Sequence, residues 1–146
     1  MKPRTYIAAP FGRKPLVREL AGIMEEFGYD VQAHWLEHHY RHEGGIHNPD
    51  NAGYAEYSAG ADLEDASKAS VMVVLQEPHE GSHYGWLVEL GIGLAVADEV
   101  FIVGPTVNVF SFLHGLLPNG CYVRRFDTVN TLIDYLGKEH RERDLF

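Results

Sequence analysis

The sequence predicts one doubly wound α/β unit, a five-stranded parallel sheet flanked by helices. Three observations carry this. Short apolar runs alternate with stretches whose apolar residues recur at helical spacing. One run, Val71-Met72-Val73-Val74-Leu75, is apolar throughout, as a strand covered on both faces must be. The chain has 146 residues, 45% hydrophobic and 23% charged, which suits a single core of ordinary composition.

The elements follow in order. Residues 5–8 form a short apolar strand stopped by Pro10. A helix begins at Pro15, a residue suited to a first turn, and Leu16, Leu20, Met24 and Phe27 give it one apolar stripe. Gly28 closes it, and residues 30–34 read as a second strand. Residues 36–51 are polar, rich in His and Gly, and without a period, so they form a long loop. A helix over 53–69 leads into the 71–75 strand, and residues 76–84 form another polar loop. The next helix spans 86–97, with Leu87, Leu90 and Leu94 on one stripe. A strand over 99–103 ends at Gly104-Pro105. A short helix near 109–113 and a Pro118-Asn119-Gly120 turn follow, then a strand over 122–125 and a helix over 129–139. The charged tail 138–144 reads as solvated surface. Residues 1–146 thus form one domain of flavodoxin- or Rossmann-like type, without repeat or linker.

Composition excludes several classes. Acidic residues outnumber basic ones 21 to 12, for a net charge of −9. A surface that tracks a nucleic-acid polymer clusters Lys and Arg instead. No stretch reaches the ~20 apolar residues of a membrane span, and the start lacks the apolar run of a secretion signal. Cys121 is the lone cysteine, which fits a reducing compartment. A soluble, cytoplasmic protein with neither nucleic-acid nor membrane partner is expected.

Open parallel sheets bind ligands beyond the carboxyl ends of their strands. Residues 9–14, 76–84 and 104–109 should meet there. The first turn, Ala8-Ala9-Pro10-Phe11-Gly12-Arg13, is not a Gly-x-Gly-x-x-Gly turn, and no phosphate loop occurs. NAD or ATP held in the ordinary way is not expected, and no cofactor is. In Gly85-Trp86-Leu87-Val88-Glu89-Leu90-Gly91-Ile92-Gly93, Glu89 falls early in a helix leaving the binding edge, where the positive helix end favours a carboxylate. Gly85 would admit a ligand close to the backbone, and Gly91 and Gly93 would permit tight packing. Asp62 lies late in the preceding helix. Spacing alone makes Glu89 an ordinary helix-start acid and Asp62, Glu64 and Asp65 a solvated face. Two carboxylates converging on one cleft would instead suit glycosidic bond cleavage.

From about Tyr6 to about Leu113 the chain resembles the nucleoside 2-deoxyribosyltransferase-like family, including its deoxynucleoside-monophosphate N-glycosidase branch. Tyr6-Ile7-Ala8-Ala9-Pro10-Phe11 is similar to the family's Tyr-x-Ala-Gly-Pro-Phe, with Ala9 replacing Gly. Asp62-Leu63 matches an Asp before the third strand. Gly85-Trp86-Leu87-Val88-Glu89-Leu90-Gly91 resembles Gly-Thr-x-x-Glu-Leu-Gly, with Trp86 in place of Thr. Asn108 matches a position lent to a neighbouring subunit. The resemblance implies that Glu89 attacks C1′ of a deoxyribosyl group and that an acceptor base or water resolves the glycosyl ester. Asp62 would hold the sugar or protonate the base, and Tyr6 would orient Glu89. Ala9, Pro10, Phe11, Ser82, His83, Gly85, Trp86 and Asn108 would line the substrate site.

The implied partners are a small nucleoside or nucleotide and a second copy of the chain, with Asn108 near the interface. His83 stands where transferases carry an Asp and the monophosphate branch a Ser. Base transfer, hydrolysis of a nucleoside 5′-monophosphate, and nucleotide binding without turnover therefore all remain open. His34, His38, His39, His42 and His47 lack metal-ligand spacing, and no metal is expected. They read as structural or as a lid. Cys121 has no activating neighbour, and Ser111 and His114 form no recognisable triad. Arg13 and Lys14 are better-placed cations for an anionic ligand than Arg124 and Arg125, although a solvated turn is the preferred reading even there.

Overall fold

The computed structural model describes residues 1–37, 39–76 and 85–145. Six strands form one sheet: β1 (Arg4–Ala8), β2 (Asp30–Val31), β3 (Val71–Leu75), β4 (Glu99–Val103), β5 (Gly115–Leu116) and β6 (Tyr122–Phe126). Their order is β2-β1-β3-β4-β6-β5. Every neighbouring pair is parallel except β5 with β6. The sheet is therefore six-stranded and mixed, which corrects the expected five-stranded parallel one. The reason is local. Two residues cannot show an alternation, and Gly115, at φ +78, reads as a turn residue. They pair because the chain between β4 and β6 has to run back along the sheet edge.

Four helices flank the sheet: α1 (Lys14–Glu26), α2 (Ala52–Lys68), α3 (Gly85–Val96) and α4 (Val129–Asp144). α2 and α3 pack side by side. α1 and α4 meet on the other face, where a Cβ at Gly137 would come within 3.4 Å of the Phe27 ring. This is the arrangement that right-handed crossovers produce from this strand order. Phe101, Phe126 and Tyr135 lock α4 onto β4 and β6, with ring centroids 5.3–6.0 Å apart.

Three further boundaries differ from the sequence reading. β2 ends at Val31, because His34 opens a 3-10 turn over His34–Glu37. The 36–51 loop holds two more such turns, Gly45–His47 and Pro49–Asn51. α4 continues through the charged tail to Asp144, supported by Lys138–Glu142 and His140–Asp144 pairs one turn apart. Exposed pairs of this kind add a few tenths of a kcal/mol each.

Register decides what reaches the ligand edge. Tyr6 lies opposite Met72, and Ala8 opposite Val74. A Cβ at Gly93 would fall 2.5 Å from the Met72 sulfur, so Met72 faces α3. Side chains alternate along a strand, which sends Tyr6, Met72, Val74 and Gln76 toward α2 and α3. Gly93 allows α3 to sit this low on the sheet. Gly91, by contrast, is exposed and a Cβ there would touch nothing, so it has no part in the packing.

Candidate active site

Tyr6 projects from β1, Glu89 from the second turn of α3, and Asp62 from α2. The Tyr6 ring is fully buried. Its hydroxyl lies close enough to Glu89 for each to shift the other's ionisation. The contact stops short of a formed hydrogen bond, so Tyr6 Oη is buried without a partner among the described residues. Burial, then the negative fields of Glu89 and Asp62, drive the phenol far above its ordinary range.

Burial likewise raises Glu89, from an ordinary 4.5 to about 8. The Tyr6 hydroxyl pulls it down and the charge of Asp62 pushes it up. The helix end was expected to favour the carboxylate, but desolvation outweighs it, because Glu89 sits one turn inside α3 against the sheet. Asp62 rises from 3.8 to about 6, first through burial and then through Asp65, with His34 acting in the opposite direction. The two carboxyl groups thus share one cluster and titrate about two pH units apart.

Asp65 is not part of a solvated face. It is 2% exposed. One oxygen accepts from the backbone N–H of His34 at 2.8 Å and faces His34 Nδ1 at 2.6 Å. The other pairs with Arg4 at 3.3 Å. Glu64 alone keeps the expected exposure, paired with Lys68 at 2.6 Å. The signal was present in the spacing: Ser58, Asp65 and Ala66 are the buried residues of α2, at i, i+7 and i+8, so Asp65 falls on the inward stripe. Removing one partner of a buried ion pair costs about 3–5 kcal/mol. Arg4 and His34 both reach solvent here, so Asp65→Ala should cost about 2 kcal/mol, read as a lower urea midpoint with unchanged slope.

The other expected site residues divide into groups. Pro10 is buried, Ala9 half-buried and Phe11 exposed. Phe11 lies 6.3 Å from both the Trp35 and Tyr40 rings. Lys14 sits 4.2 Å above its face, so that cation belongs to an aromatic group. Tyr40 continues to Tyr54 at 5.9 Å, and Asp62 contributes to raising its phenol after burial. This aromatic row therefore borders the carboxylates. Trp35 anchors it, donating from Nε1 to the Ile7 carbonyl at 2.8 Å. Gly85 opens α3 and is exposed, while Trp86 is 7% exposed. Ser82 and His83 lie outside the described residues.

Asn108 is half-buried and serves as a local cap, its Oδ1 accepting from Phe110 N–H at 2.8 Å. Cys121 is buried, and burial, then Asp98 and Glu99, raise its thiol. Among the described residues no three His, Cys, Asp or Glu side chains gather as metal ligands. No described helix is long and apolar enough to cross a membrane. Arg13 lines a cavity of about 390 Å³ with Leu75, Val103 and Thr128.

Sequence reasoning missed Gln76. It is 2% exposed at the end of β3, and Ser111 donates to its Oε1 at 2.7 Å. A polar residue directly after an all-apolar strand was the available signal.

No protein-family model and no curated protein matches the chain. Among solved structures, a 2-deoxyribosyltransferase from the psychrotolerant bacterium Bacillus psychrosaccharolyticus aligns with a TM-score of 0.62. The two chains are 18% identical over 90% of this one and 91% of the other. They share a fold. The likeness links this chain to the nucleoside 2-deoxyribosyltransferase fold, as the sequence motifs implied.

Proposed function

We propose that this protein cleaves the N-glycosidic bond of a (deoxy)nucleoside and transfers the deoxyribose to another base. The observation that carries the proposal is the cluster of Glu89, Tyr6 and Asp62 where β1 meets α2 and α3. Glu89 attacks C1′, the C1′–N bond breaks, and its electron pair leaves with the base, which takes a proton from Asp62. The acceptor base then attacks C1′ of the glycosyl ester. Glu89 departs as a carboxylate, and Asp62 receives the acceptor's proton. Water as acceptor turns the same scheme into hydrolysis, with a nucleoside 5′-monophosphate as the alternative substrate. The test is chromatography of free base and new nucleoside from pooled nucleosides and monophosphates, with and without added base. New nucleoside only when base is added supports transfer, whereas no base release from any substrate refutes the proposal and leaves nucleotide binding without turnover.

The pH profile offers a second check. The productive form needs Glu89 ionised and Asp62 protonated, one proton on the pair. With Asp62 near 6 and Glu89 near 8, the pair holds one proton between those values, predominantly on Glu89, so the productive form is the minor arrangement of that proton. kcat/KM should be bell-shaped with limbs near pH 6 and 8, which belong to the coupled pair. Asp62→Asn should lower the maximum by about 10²–10³-fold and leave one limb rising with pH. That limb should fall somewhat below pH 8, because burial still raises Glu89 but the smaller contribution of the Asp62 charge is gone.

A second copy of the chain is the proposed protein partner. Val109, Phe110 and Phe112 beside Asn108 are exposed at 74%, 51% and 66%, an apolar surface suited to burial. Sedimentation should give a dimer or higher oligomer, which Phe110→Asp with Phe112→Asp should reduce to monomer.

A further inference from the structure

Three buried donors have no acceptor among the described residues: Tyr6 Oη, which lies beside Glu89, Trp86 Nε1 and Gln76 Nε2. Leaving a buried donor unmatched costs about 1–3 kcal/mol, and three on one sheet face call for a common explanation.

The orientation of the Gln76 amide is fixed by counting. Ser111 Oγ accepts from the backbone N–H groups of Val107 at 3.2 Å and Asn108 at 3.3 Å. A hydroxyl has two lone pairs and one proton. With both lone pairs engaged, its proton goes to Gln76 Oε1 at 2.7 Å. The amide cannot flip without setting donor against donor, so its NH₂ is held away from the 104–113 segment. Ser111 is fully buried, which keeps water from relaxing this lock.

Placement brings the donors together. Gln76 lies four residues beyond Met72, roughly 13 Å along β3 at the usual rise. Trp86 precedes Gly93 by two helical turns, roughly 10 Å back along α3. Met72 and Gly93 touch, and Trp86, Leu90 and Gly93 are the buried residues of α3. Gln76 and Trp86 thus stand at about the same level on the sheet-facing side, and Trp86 precedes Glu89 by about one turn of α3.

We infer that Gln76 and Trp86 are specificity-determining donors that select a nucleobase bearing a ring carbonyl, a 6-oxopurine or 4-oxopyrimidine, over its amino counterpart. The inference rests on the nucleoside reading above. Both groups are pure donors as held. A carbonyl oxygen offers the two lone pairs they require, whereas an exocyclic amino group would set donor against donor. A phosphate would also accept, but the Glu89 and Asp62 carboxylates share this face and would repel it.

The test uses free bases, which have no glycosidic bond to cleave. Calorimetry should show hypoxanthine and uracil binding about tenfold or more tightly than adenine and cytosine. Gln76→Met should weaken hypoxanthine binding about tenfold and leave adenine unchanged. Ser111→Ala frees the amide to turn and should narrow the preference with Gln76 still present, so it serves if Gln76→Met fails to fold. Equal affinity for the two classes, a preference that survives both variants, or no binding of any base overturns the inference. Selective base binding without cleavage of any nucleoside would instead refute the proposed reaction and leave these donors assigned.

Discussion

Glu89→Gln is expected to abolish turnover and, at pH 9, to make the fold more stable. The loss of activity follows from the proposed role of Glu89, because an amide cannot act as its carboxylate nucleophile, and about 10³-fold or more should go from kcat/KM. The gain in stability follows from linkage. Glu89 titrates near 4.5 when the chain is unfolded and near 8 when folded, so the folded state holds its proton more tightly. The cost of ionising it is absent below pH 4.5, grows between 4.5 and 8, and is complete above 8. At about 1.4 kcal/mol per pH unit the cost has a ceiling near 5 kcal/mol. Local relaxation brings the expected gain to about 2–4 kcal/mol, or roughly 5–12 °C in Tm for a chain of this size. At pH 4.5 the variant and the wild type should melt together. A variant that melts no higher than wild type at pH 9 would show that Glu89 is ionised at little cost.

Gly104→Ala should be the most destabilising single methyl in the molecule. Gly104 has φ +113, and a Cβ there would lie 2.4 Å from the backbone oxygen of Gln76. Strain of about 1–3 kcal/mol comes from the torsion alone. The clash adds to it, because the obstacle is backbone and not the end of a flexible side chain. Gly104 also donates to the Phe126 carbonyl at 2.9 Å, while Gln76 N–H donates to Val103 at 2.8 Å. Relief therefore requires the ends of β3, β4 and β6 to part. A cost of about 4 kcal/mol places the change in the exceptional class, and Tm should fall by about 8–16 °C. Gly91→Ala is the contrast. Its site is open and helical, so Ala should stabilise by about 0.5–1 kcal/mol.

The legibility of this chain in sequence follows the range of the interactions concerned. The stripe Leu16, Leu20, Met24 and the run 71–75 are written in consecutive residues, and they correctly announced α1 and β3. β5 escaped because its two residues acquire strand character only from β6. Asp65 was misread although its spacing from Ser58 puts it on the inward stripe, because the partners that make an inward carboxylate tolerable, Arg4 and His34, lie 61 and 31 residues away. Gln76 escaped for the same reason, since Ser111 stands 35 residues further on. Tyr6, Asp62 and Glu89 could be named from motif resemblance, but their mutual field exists only once β1 and β3 pair. The expected ionised Glu89 failed on depth: a helix-end position can be read from spacing, whereas burial against a sheet cannot.

The position of β1 one strand in from the sheet edge bears on how the chain is made. Its neighbours are the two-residue β2 and, after a long interval, β3. During synthesis the apolar β1 therefore waits for residues 71–75 before it gains a substantial partner. At about 5–20 residues per second that delay is roughly 3–13 s. Throughout it α1 has little sheet to cover. A ribosome-bound chain arrested before residue 70 should be cut readily by protease within β1, and one arrested far enough on to release β4 should resist.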